Sequence, residues 1–76
     1  MIDYDPKLFR IKRHVLGLSQ GQLAKECRIS RPTISMVERN QSLTPSTILL
    51  IGMVLDNIAD EKGMLETFYA LEAGEQ

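Results

Sequence analysis

The chain has no tryptophan, a single cysteine and a single histidine among its 76 residues. Each scarcity excludes something. Cys27 cannot close an internal disulfide, and there is no paired-cysteine spacing for a metal. That usage fits a reducing compartment. His14 has no second ligand or nucleophile at a helical spacing, and a lone helical histidine is usually a solvated side chain. There is no glycine-rich phosphate loop. Asp60, Glu61 and Glu66 read as a wetted helix face rather than a cation site. The expectation is a non-enzyme with no metal and no cofactor. No apolar run approaches the ~20 residues that cross a bilayer. The charged start, with Asp3 and Asp5, is unlike a signal peptide. A soluble, cytoplasmic protein without membrane contact is therefore expected.

Charge of one sign is not in excess either, since the net charge is −1. Its distribution is uneven. Residues 1–40 carry eight basic against four acidic side chains, or +4. Residues 41–76 carry one against six, or −5. A surface that meets phosphate needs local positive charge, not a basic total.

The apolar share of 43% suffices for one core in one small domain, although a chain this short buries only about 60–65% of its unfolded surface. Helix punctuation divides it. Asp5-Pro6 opens a first helix running to residue 16, and Gly17 stops it. Leu8, Phe9, Ile11, Val15 and Leu16 form its apolar arc. Lys12 falls inside that arc and is expected to snorkel outward along its stem. Ser19 caps a second helix, and Ser19 with Gln22 has the spacing of a capping box. Cys27 ends this helix on its apolar face and reads as a small core residue. Ser30 opens a third helix, with Pro32 in its first turn. Ser46 is expected to cap a fourth, running from 47 to about 55, and Asp56-Asn57 to break it. A fifth should span about 59–73, weakened by Gly63. The domain core is expected at about 5–57.

The fourth helix is apolar almost all round, which calls for a partner on its second side. A homodimer follows as the expectation, with the fifth helix as a candidate dimerisation element. Leu49, Met53, Met64, Leu65, Phe68 and Leu71 are the interface candidates.

Residues 17–38 are the most telling stretch. Two short helical patterns are joined by the tight turn Arg28-Ile29-Ser30. Ile34 and Val37 bury one face of the second pattern and leave Pro32, Ser35, Met36 and Arg39 outward. A helix-turn-helix presents its recognition helix in this way. The ordered set Gly17-Leu18-Ser19-Gln20, Leu23-Ala24, Ile29-Ser30, Ile34-Ser35 and Glu38 resembles the Cro and phage-repressor family. Arg13, Pro45-Ser46 and Ile51-Gly52 with Leu55 extend the likeness, with Gly52 where relatives often have Ala. It covers roughly residues 8 to 56.

The resemblance implies a five-helix, all-α, lambda-repressor-like domain with the helix-turn-helix at its second and third helices. It implies a sequence-specific regulator, a repressor acting as a homodimer on a palindromic operator in double-stranded DNA. By the same likeness Arg13 and Glu38 meet as a partly buried ion pair. Gln20 and Ser30 reach phosphate. Arg31, Thr33, Ser35, Met36 and Arg39 are candidate base readers, and Pro32 can lie on a thymine methyl. Arg28 stands where relatives often place Gly, in a left-handed position that costs an L-residue about 1–2 kcal/mol. Asn40 opens a following loop that lacks basic residues. The alternative is an antitoxin or adaptor whose fourth and fifth helices bind a toxin or another regulator.

Overall fold

The computed structural model describes residues 4–41 and 44–74, which form five α-helices and no strand. Asp5 caps a 3-10 turn, Pro6–Leu8, by accepting from the Lys7 amide at 3.0 Å. That turn feeds α1, Phe9–Val15. α2 is Gln20–Cys27, and its capping box is complete: Ser19 Oγ accepts from the Gln22 amide, and Gln22 Oε1 from the Ser19 amide. α3 is Arg31–Glu38, α4 is Pro45–Glu61 and α5 is Leu65–Gly74.

The first four α-helices end by one device. A residue with positive φ follows each, and the next amide closes back on a carbonyl five residues earlier. The left-handed residues are Gly17, Arg28, Asn40 and Gly63. The closing bonds are Leu18 to Arg13, Ile29 to Ala24, Gln41 to Met36 and Met64 to Ala59. This is the Schellman stop, which favours Gly and tolerates Asn. Arg28, at φ 58° and ψ 41°, is the one residue of the four with no conformational excuse.

Several boundaries differ from the sequence expectation. The fourth helix begins at Pro45 with Thr44 as its cap, so Ser46 lies inside the first turn. It does not break at Asp56-Asn57. Ile51, Leu55, Ile58 and Ala59 are all buried at core spacing, and their burial outweighs the few tenths of a kcal/mol that Asp and Asn cost. The helix stops at Gly63, at φ 68°. Gly63 is therefore the end of α4 rather than a weak point in α5, and α5 starts at Leu65 instead of near 59. The core accordingly extends past 57 to include Ile58, Ala59 and Phe68.

Phe9, Leu16, Leu23, Ala24, Cys27, Ile34, Val37, Ile51 and Leu55 complete that core. The ring of Tyr4 lies directly over Gly52, where a Cβ would strike it, and its hydroxyl donates to Asp56 at 2.9 Å. Gly here lets the segment before α1 lie flat on α4.

Lys12 does not snorkel. It is only 2% exposed. α5 folds over the apolar arc of α1 and closes the route to water. The amine instead donates to Glu72 at 2.8 Å and sits 5.1 Å from the centre of the Phe68 ring. A carboxylate and an aromatic face together stand in for solvent. Phe68 is likewise corrected as an interface candidate. It is fully buried within the single chain, so no partner can touch it. Met64, Leu65 and Leu71 are half-buried against the core, whereas Leu49 and Met53 on α4 are 43% and 47% exposed.

Candidate nucleic-acid interface

Ser30 caps α3 by accepting from the Thr33 amide at 3.3 Å, and the two hydroxyls share a hydrogen bond at 2.7 Å. Ile34 and Val37 anchor the inner face of α3 in the core. That fixes the rotation of the helix. Arg31, Pro32, Met36 and Arg39 are then exposed, and Thr33 and Ser35 are half-exposed. A shallow groove on this side is lined by Gln20, Arg31, Pro32, Ser35, Met36 and Arg39. α2 contributes its first residue, and α3 the rest with its cap.

Arg28, Ser30, Thr33 and Asn40 do not line this groove. The first three gather around the turn at the start of α3. Asn40 lies past its other end, at φ 60°. Ser42 and Leu43, in the loop that follows, lie outside the described residues.

One buried pair fixes α3 against α1. Arg13 donates from Nε to Glu38 Oε2 at 2.7 Å and from Nη2 to Oε1 at 3.0 Å. Its third donor, Nη1, reaches the Leu18 carbonyl at 2.9 Å. Gln20 Nε2 adds a bond to Glu38 Oε1 at 3.1 Å. The side chains of the pair are 7% and 4% exposed. Three helices thus meet at one carboxylate. Burial alone would push the Glu38 carboxyl up. Hydrogen bonds from Arg13 and Gln20, with the charges of Arg13 and Arg10, overcome this and hold it below the usual glutamate range. Glu38 is therefore a carboxylate at neutral pH, and the amide of Gln20 is held at the mouth of the groove.

Arg10 and His14 were not among the candidate residues from sequence. Both are exposed on α1, and they line a second groove with Arg13, Gln20, Ser35, Glu38 and Arg39. The signal was present. Arg10 and His14 stand three before and one after Arg13, so pairing Arg13 with the end of α3 brings them beside it.

The other chemistry is quiet. Burial, and then the charge of Glu26, push the Cys27 thiol up to about 11, which keeps it protonated and unreactive. Among the described residues no group of His, Cys, Asp and Glu is placed to hold a metal ion. No helix of the described residues is long and apolar enough to cross a membrane.

No curated protein and no solved structure matches this chain. The helix-turn-helix family does match, over residues 11–58, which is more than half of the chain and spans α2, the turn and α3. With five helices, no strand among the described residues and this match, the chain belongs to the Cro/C1-type helix-turn-helix family of DNA-binding transcription regulators, with its lambda-repressor-like fold.

Proposed function

We propose that the chain is a sequence-specific repressor that binds a palindromic operator as a homodimer, acting on the DNA of a bacterial cell or a phage in the cytoplasm. The observation that carries this reading is the outer face of α3. It sets two guanidinium groups, Arg31 and Arg39, that no carboxylate among the described residues pairs with, beside Pro32, Ser35 and Met36, with Gln20 at the edge. Arg31 can hold the two acceptors of guanine, and Ser and Met can meet a thymine methyl. Gln20, Arg28 and Ser30 take phosphates on one side of the helix and Asn40 on the other. Thr33 shares one hydroxyl hydrogen bond with the cap and keeps further hydrogen-bonding capacity for a base.

Charge supports the orientation. The half that carries α1 to α3 is positive and the half that carries α4 and α5 is negative, which favours DNA on the side of α1 to α3. The dimer reading rests on the outer face of α4, where Leu49, Leu50 and Met53 are exposed together. On a palindromic site, two copies related by a two-fold axis set their recognition helices about 34 Å apart, one turn of the duplex. The same face, with exposed Tyr69 on α5, supports the second reading, in which a toxin or other regulator covers it.

Sedimentation of the chain alone and with a duplex carrying its selected site separates the two. The expected result is a dimer at tens of micromolar and a complex of two chains per site. Replacing Leu49 and Met53 together by Ser should leave a folded monomer with weaker binding. A wild type that stays monomeric, with one chain per duplex, would move the partner reading ahead.

A further inference from the structure

Building on the DNA-binding reading above, we propose that Arg10 and His14 on α1 form, with Arg39 on α3, a seat for one phosphate of the DNA backbone. The seat lies beside the groove that takes the bases. Three observations carry it. The first is location. This second groove shares Gln20, Ser35 and Arg39 with the groove on the face of α3. The two form one continuous surface, so a duplex lying on α3 passes over α1.

The second observation is charge. Arg10, Arg13 and Arg39 bring three guanidinium groups to the groove against the one carboxylate of Glu38. Glu38 is already held by Arg13 through two hydrogen bonds and by Gln20 through a third. Among the described residues no carboxylate pairs with Arg10 or Arg39. Two positive charges are left for an anion. The third is donor count. The guanidinium of Arg39 bonds only weakly to the Ser35 carbonyl, at 3.4 Å from Nε. His14 has at least one N–H to give in either charge state. These donors surround a site whose one buried acceptor, Glu38, already takes three hydrogen bonds, which suits a ligand carrying several acceptor oxygens and no proton to give. A backbone phosphate is such a ligand.

The seat also answers a deficit. The loop after α3 lacks the basic side chains that would otherwise meet the backbone on that side. Arg10 and His14 supply that contact from α1. It does not read sequence. It fixes the angle at which α3 enters the groove.

The test is the salt dependence of binding to the selected site and to a scrambled duplex. Arg10→Ala should weaken both about five- to tenfold near 100 mM salt, and make the slope of log K against log salt shallower by about 0.9. Its selected sequence should stay the same. Arg10→Lys should keep most of the slope. Lys7→Ala, which removes an exposed charge outside the groove, should change neither slope nor sequence. Melts of all three should match wild type. An Arg10→Ala slope equal to wild type overturns the seat while leaving the DNA reading intact. A changed selected sequence overturns it too, since Arg10 would then be reading a base. Saturable binding of inorganic phosphate to the free protein, seen as shifts of the Arg10 and Arg39 side-chain resonances at millimolar concentration, would make this an anion pocket instead. Failure of wild type to bind any duplex would sink both readings at once.

Discussion

Arg13→Ala should destabilise the fold by about 3–5 kcal/mol, and Glu38→Ala by a comparable or slightly smaller amount. The Arg13→Met, Glu38→Leu double change should cost far less than either. Each single change strands a buried charge, whereas the double change leaves none. The two singles are not equivalent. Without Arg13, the Glu38 carboxylate keeps only Gln20, while without Glu38 the guanidinium keeps the Leu18 carbonyl. A small domain has only about 5–15 kcal/mol in all. The single variants should therefore be marginal, and urea melts of the three variants would measure the cycle. Additive losses would mean that the geometry of the pair carries no energy of its own. The pair also fixes an acid dependence. The Glu38 carboxyl is held low in the folded chain, so its contribution is fully present above the usual glutamate value of about 4.5. It is lost as pH falls below that value and through the lower value of the folded state. Wild type should lose stability over that window, and the double variant should lose less.

Phe68→Ala should cost about 3–5 kcal/mol, the range for emptying a fully buried aromatic site. The ring fills the space between α5 and the rest of the core, and the amine of Lys12 lies against its face. Removing it takes away both the packing and the surface on which that cation rests. α5 should detach, visible as fast hydrogen exchange over residues 65–74 while α1 to α4 stay protected. The loss should not depend on protein concentration. A residue that acts only across a subunit interface behaves differently, since its effect fades once the chain is dilute enough to be monomeric. A concentration-dependent loss at Phe68 would contradict its place in the core.

These two sites mark where the sequence was legible and where it was not. Short-range signals read well. The Ser19 capping box, Ser30 with Pro32 at the start of α3, and Gly17 at the end of α1 are local chemistry that nearby tertiary contacts do not overrule. The match over residues 11–58 rests on that same stretch. The second half read less well because its signals are apolar and non-local. Asp56-Asn57 has the composition of a break, yet the residues on either side are buried on one helical face, and burial decides. Gly63 could equally be a weak point or a stop, and only the fold of α5 over α1 decides between them. Lys12 depends on the same fold. Without knowing that Glu72 and Phe68 arrive above it, a lysine in an apolar arc has only water to turn to. The groove residues Arg10 and His14 were hidden for a further reason: neither stands out along the chain, and each gains meaning only from its neighbour Arg13.

In the proposed function, the outer face of α3 reads base pairs. Selection of bound duplexes from a random pool at fixed salt, by wild type and by Arg31→Ala and Met36→Ala, which line the α3 groove but not the phosphate seat, is the test. Wild type should recover a palindromic motif. Each variant should lose preference at particular base pairs by about 1–3 kcal/mol while keeping it elsewhere. Gln20→Ala, as a phosphate-side control, should weaken binding to all sequences more evenly. A wild type that recovers no motif, or α3 variants that recover the wild-type motif unchanged, would mean that α3 is not the reader.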